Sequence, residues 1–95
     1  MKAAVVSFTE KGGRWNREIT GRLRAEEIDS TGYGFYKYAG EGLTPFTHVK
    51  DLTEGLFASC DLLLFIGATG IALRAVAPFL RGKAKDPAVL VMDEC

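Results

Sequence analysis

Gly67-Ala68-Thr69-Gly70 stands between an apolar run, residues 62–66, and a helical run that begins at Ile71. Two glycines at such a handover let the backbone come close to a ligand, and the first amides of a helix carry the positive end of its dipole. That chemistry suits a carboxylate or a phosphate. The same residues also read as a plain tight turn with Thr69 capping the helix. Spacing alone favours the plain turn, since neither GxGxxG nor GxxxxGK(S/T) occurs.

Two other loops hold groups with comparable chemistry. Ser7, Thr9 and Glu10 lie in residues 7–13, where Glu10 is a candidate general acid or base, or else a solvated loop glutamate. Asp93 and Glu94, near the last residue, offer the same two readings. Arg74 is placed to reach an acidic ligand from inside the third helix; with Arg81, Lys83 and Lys85 it also reads as a solvated basic face. His48 is the single histidine, set at a helix start, so no Ser-His-Asp or Cys-His pairing arises. Cys60 and Cys95 form no C-x-x-C pair, and an ordinary zinc site is excluded within this chain.

The elements that must position these residues follow from apolar patterning. Residues 3–8 form a nearly continuous apolar run, as in strands covered on both faces. The glycines of residues 9–13 break it. Trp15, Ile19, Leu23 and Ile28 then recur at helical spacing, which predicts an amphipathic helix over 14–28 with those residues turned inward. Residues 29–34 read as a turn, 34–39 as a second strand rich in aromatics, and 40–45 as loop. Tyr33, Phe35, Tyr36 and Tyr38 fit sheet packing better than a platform for stacking bases.

Thr47 is expected to cap a short helix through Val49, Leu52, Leu56 and Phe57. A third strand at 61–66, a helix over about 69–80 kinked at Pro78, and a fourth strand at 88–92 complete the chain. The alternation predicts an α/β fold: a small open parallel sheet of about four strands, order 2-1-3-4, with helices on both faces, flavodoxin-like or half-Rossmann. Residues 1–95 suffice for one domain. The open final strand leads us to expect self-association as a homodimer.

Twelve basic and twelve acidic residues cancel, so nothing calls for nucleic acid, which rewards a basic surplus. No apolar run approaches bilayer length and no signal-peptide core is present; the expectation is a cytoplasmic protein away from the membrane.

The turn at 67–71, with Arg74, Ala77-Pro78, Lys83, Asp86-Pro87-Ala88-Val89 and Asp93-Glu94, resembles the N-terminal domain of the cobalt-precorrin-5A hydrolase family of anaerobic cobalamin synthesis. The opening Ala4-Val5-Val6-Ser7-Phe8-Thr9-Glu10-Lys11-Gly12 is similar to that family's first strand and loop, and the likeness is weaker between 30 and 59. The resemblance implies a hydrolase that opens the δ-lactone of a cobalt-bound corrin precursor and releases acetaldehyde. It also implies that cobalt arrives inside the substrate, with no cofactor held by the protein, and that the chain is the N-terminal part of a longer hydrolase.

On this reading Ser7, Thr9, Gly67, Ala68, Thr69, Gly70 and Arg74 hold substrate carboxylates, and backbone amides of the 67–70 turn steady an oxyanion. Glu10, Asp93 or Glu94 would activate water. Those roles follow from residue chemistry, since the resemblance carries over no catalytic residue. Two alternatives stand beside it: a non-catalytic flavodoxin-like module for an acidic ligand, and a structural piece that docks onto the rest of its own chain.

Overall fold

A computed structural model describes residues 1–82 and 86–93. Lys83, Lys85, Glu94 and Cys95 lie outside the described residues. The elements run β1 (Lys2–Ser7), α1 (Glu10–Ala25), β2 (Asp29–Phe35), a 3₁₀ turn (Tyr36–Tyr38), β3 (Thr44–Phe46), α2 (Val49–Ser59), β4 (Leu62–Ile66), α3 (Thr69–Val76), a second 3₁₀ turn (Ala77–Phe79) and β5 (Ala88–Met92). All strand pairs are parallel, in the order β3-β2-β1-β4-β5. The expected order of four strands is present, with β3 added at one edge.

The chain steps from β1 to β2 in one direction and from β4 to β5 in the other. Right-handed crossovers therefore place α1 on one face and α3 on the opposite one. α2 joins β3 to β4 in the same sense as α3 and packs against it. The two faces differ in chemistry. Under α2 and α3 lies the apolar core: Ala4, Val6, Leu63 and Phe65 from the sheet meet Leu56, Ala72, Ala75 and Val76, with Phe46 at the side.

Beneath α1 the contact is small and polar. The helix buries Gly12, Gly13, Asn16 and Thr20, while Trp15 is 45% exposed. The expected inward stripe of Trp15, Ile19, Leu23 and Ile28 is thus corrected. β2 explains why. It sets Ser30, Gly32 and Gly34 beneath the helix, and Leu43 from the following loop packs on both glycines and on Gly13. Small residues on both sides bring helix and sheet close, and Asn16 occupies the centre.

Its amide donates to Val5 O at 3.1 Å, to Ser7 Oγ at 3.0 Å and to Tyr33 O at 2.9 Å. A buried amide so placed satisfies carbonyls that would otherwise lose their water. Asn16 Oδ1 has no hydrogen-bond partner and faces Gly32. Thr20 Oγ1 returns a bond to Asn16 O at 2.9 Å, and Ser30 Oγ donates to Thr20 O at 3.1 Å.

Other boundaries shift for local reasons. The glycines of 9–13 do not break the chain; Thr9 caps α1, so the helix begins at Glu10 instead of Arg14. Residues 29–34, expected as a turn, are strand, because their glycines are needed for close packing, and Tyr36 to Tyr38 leave the sheet as a 3₁₀ turn. His48, not Thr47, occupies the cap of α2 and makes no side-chain cap bond. α3 ends at Val76: Pro78 has no amide to continue the ladder, and the backbone tightens into the second 3₁₀ turn instead of kinking within one helix.

A methyl group at Gly32 would overlap Asn16 Oδ1 and stand 2.7 Å from Leu43 Cδ2. Gly32→Ala is therefore expected to lower stability by about 3 kcal/mol through overpacking. Asn16→Ala should cost about 2–3 kcal/mol by orphaning buried acceptors. Urea unfolding at constant m-value measures both.

Candidate functional site

In open parallel sheets, ligands bind outside the carboxyl ends of the strands where the strand order reverses. Here the reversal falls between β1 and β4, whose last paired residues are Ser7 and Ile66. Phe8-Thr9 leads from β1 into α1, and Gly67-Ala68 leads from β4 into α3. Since the helices lie on opposite faces, two helix N-termini flank one edge of the sheet.

They open differently. Thr9 Oγ1 accepts from Gly12 N at 2.9 Å and Thr9 O from Gly13 N at 2.8 Å, so α1 caps itself. α3 has Ala68 at its cap position, a side chain without an acceptor. The expected cap by Thr69 is corrected: Thr69 is the first helical residue. Ile71 and Ala72 amides bond to Ala68 O at 3.2 and 3.4 Å. The opening turn leaves the Thr69 and Gly70 amides without intrahelical acceptors and pointed along the positive end of the helix. The Gly67 amide is already committed, donating to Met92 O at 2.8 Å.

The two glycines of the turn have separate reasons. Gly67 has φ of 150°, a backbone state that disfavours side chains, and a Cβ there would meet Phe8 Cδ2 at 3.4 Å. A Cβ at Gly70 would meet only open space. Packing does not require Gly70 to be bare.

The candidate residues divide accordingly. Ser7 is buried, its hydroxyl accepting from Asn16 and lying 3.5 Å from Tyr33 O, so it serves the core. Phe8 packs on Gly67 and edge-on against Phe46, with ring centroids 5.7 Å apart. The ground between the two loops is therefore filled, and the exposed part of the edge is the first turn of α3. Ala68 and Gly70 are exposed there, and Asp93 follows Met92 directly beside Gly67. Glu10 sits across the edge at the start of α1, its carboxylate in solvent and 3.5 Å from Arg14. Arg74 is exposed four residues after Gly70, hence on its face of α3. Glu94 lies outside the described residues.

Sequence reasoning missed Asn16 and Phe8, which shape this edge from beneath. The available signal for Asn16 was an amide one turn from Gly12-Gly13 in an otherwise charged helix. Tyr33 contributes its carbonyl to Asn16; its phenol is pushed above the usual value by burial first and by nearby Cys60 second. Among the described residues, no group of three His, Cys, Asp or Glu side chains could hold a metal ion, and no helix is long and apolar enough to cross a membrane. A cleft lined by Glu54, Phe57, Phe79, Arg81 and Asp86 lies at the opposite end of the strands from the α3 turn. Of its two acidic members, Asp86 is occupied, accepting from the Arg81 and Gly82 amides.

Residues 51–95 match the family described as Cobalamin synthesis G N-terminal. Over 59 residues the chain is 44% identical to the cobalt-precorrin-5A hydrolase of Salmonella typhimurium, a match that covers 61% of this chain and 17% of that protein. The fold superposes with a TM-score of 0.74 on a cobalamin biosynthesis protein G homolog from Sulfolobus solfataricus. That superposition covers 97% of this chain and 25% of the other, at 24% identity, and so speaks for the fold alone. The chain thus spans a small part of each longer relative. With the match beginning in α2 and running through the α3 turn to the end of β5, residues 51–95 are similar to the N-terminal domain of the cobalt-precorrin-5A hydrolases.

Proposed function

We propose that this domain is the substrate-gripping part of a cobalamin-pathway hydrolase that opens the lactone ring of cobalt-precorrin-5A and releases acetaldehyde. The observation that carries the reading is the opening turn of α3, which has no side-chain cap and has a bare Gly70 at a strand-order reversal. Exposed amides at a helix start hold carboxylates well, and corrin precursors carry several acetate and propionate groups. Arg74, on the same helix face as Gly70, adds a charge-assisted contact to such a group.

Lactone opening needs an activated water and a place for the negative charge that develops on oxygen. The Thr69 and Gly70 amides suit the second task, because preformed donors need no reorganisation as charge appears. Asp93 is the better-placed acid-base group, since it adjoins Gly67 through the Met92 carbonyl, whereas Glu10 is across the edge at the start of α1. Cobalt enters as part of the substrate, and no protein-held cofactor belongs to this reading. A cytoplasmic setting, and completion of the site by further polypeptide of the longer protein, belong to it as well.

Gly70→Ala separates binding from folding. Adding a methyl into open space should raise domain stability by about 0.5–1 kcal/mol, the usual gain of Ala over Gly in a helix. In a longer protein carrying this domain it should lower acetaldehyde release from the lactone substrate by about tenfold or more, a loss of roughly 1.4 kcal/mol. Unchanged release would remove the amide grip from the proposal.

Arg74→Ala should raise KM by about tenfold, with Arg74→Lys recovering only part of it, because the planar fork matches a carboxylate and an ammonium does not. Steady-state kinetics at two salt concentrations test this. An Arg74→Ala protein with wild-type KM contradicts the assigned contact. Pairing of two copies along the open edge of β5 predicts a concentration-dependent dimer in sedimentation, and a monomer throughout excludes it.

A further inference from the structure

The α1 face of the sheet is only partly covered. Register places Leu62, Leu64 and Ile66 of β4 beside Ala88, Leu90 and Met92 of β5. It also aligns the β4 residues with Ala3, Val5 and Ser7, and the Ser7 hydroxyl bonds to Asn16 of α1, so all of them share the α1 face. α1 packs mainly over β2 and β1 and more lightly on β4. Ala88 is exposed, Leu90 is 55% exposed, and Leu62, Leu64 and Met92 are half-buried.

The neighbouring flank of α1 is apolar as well. Gly13 and Arg17 face the β2–β3 side, where they meet Leu43 and Ala39 O. At 100° per residue, Trp15, Ile19 and Leu23 fall on the other flank, toward β4 and β5. The outermost face carries the ion pairs Glu10–Arg14 and Glu18–Arg22. The helix pattern that suggested an inward stripe is therefore real, and it points sideways. Together, the α1 flank and the bare strands make a trough with an apolar floor, one apolar wall and a charged rim.

Two strands span about 10 Å, the width of one helix. On the other face of the same strands, helices fill this space. An interface with an apolar centre and a polar rim is the usual form of a covered surface. We infer that the trough is the seat of an amphipathic helix from the polypeptide that the longer relatives carry in addition to this region. The Sulfolobus chain is about four times as long as the part superposed, so further polypeptide is present there to supply such a segment. The inference uses the likeness to longer relatives and does not depend on the amide grip at α3.

Hydroxyl-radical labelling of Trp15, the one tryptophan, and of Leu90 tests it, on the chain alone and on a chimera in which the chain replaces the matched segment of the Salmonella protein. Burial at an interface centre excludes water, so both labelling rates should fall by about fivefold or more in the chimera. Leu90→Glu should restore labelling of Trp15 in the chimera and leave the melting of the chain alone unchanged, because Leu90 is exposed there. Glu18→Gln, on the outer face, should change neither. Equal labelling of chain and chimera overturns the inference. So does protection that appears in the chain alone as its concentration rises, which would assign the trough to a second copy.

Discussion

The Asn16 amide is the contact on which the rest of this domain depends. One side chain joins the carbonyl of Val5, the hydroxyl of Ser7 and the carbonyl of Tyr33, so a single helix residue spans β1 and β2 near their carboxyl ends. That geometry demands a close helix. Closeness in turn demands small residues, and they are present on both sides: Gly12 and Gly13 on α1, Gly32 and Gly34 on β2. The edge that carries the candidate site is anchored by polar bonds on the α1 face and by apolar packing on the other. Polar bonds fix direction better than apolar contacts do, because a hydrogen bond weakens steeply with angle whereas burial does not.

This division explains what was legible in the sequence. β1, β4 and β5 are apolar strands of a parallel sheet, and their apolar runs declared them within a residue or two. β2 was not legible, because its buried positions are Ser30, Gly32 and Gly34, residues that in isolation signal a turn. β3 is three residues long and contains Pro45, too little pattern to read. α1 showed its period plainly but not its orientation. The hydrophobic stripe defines a face that seeks cover, and here that face is the flank toward β4 and β5, while a polar and glycine face meets the sheet. A period fixes which residues share a face; it does not say which partner the face meets.

The site was legible to a similar depth. The 67–70 turn and Asp93 follow neighbouring strands at one edge of the sheet, as the positions of loops after parallel strands require. What the residues could not convey was the filling of the ground between the loops. Ser7 turned inward because Asn16 needed a partner, and Phe8 took the space beside Gly67 because that glycine has no side chain to oppose it. The two glycines of one motif thus answer different demands: Gly67 answers backbone geometry and Phe8, and Gly70 answers nothing within the domain.

A bare position that a domain does not use for itself is informative when it costs stability to keep. Glycine in a helix is unfavourable relative to alanine by about 1 kcal/mol. Gly21 and Gly55 are equally unhindered, so openness alone does not mark Gly70. What marks it is position, in the first turn of a helix whose cap is an alanine, at the reversal of strand order. The same edge stands beside an apolar trough that one helix would fill. One feature is polar and the other apolar, and additional polypeptide seated over the carboxyl ends of β4 and β5 would lie near the α3 turn. A wall there would exclude water from exposed amides and strengthen whatever charge they hold. On the proposed reading the polar and apolar features are parts of one requirement: a grip on an anion at the α3 turn would be weak in an open domain and would strengthen once the neighbouring face is closed.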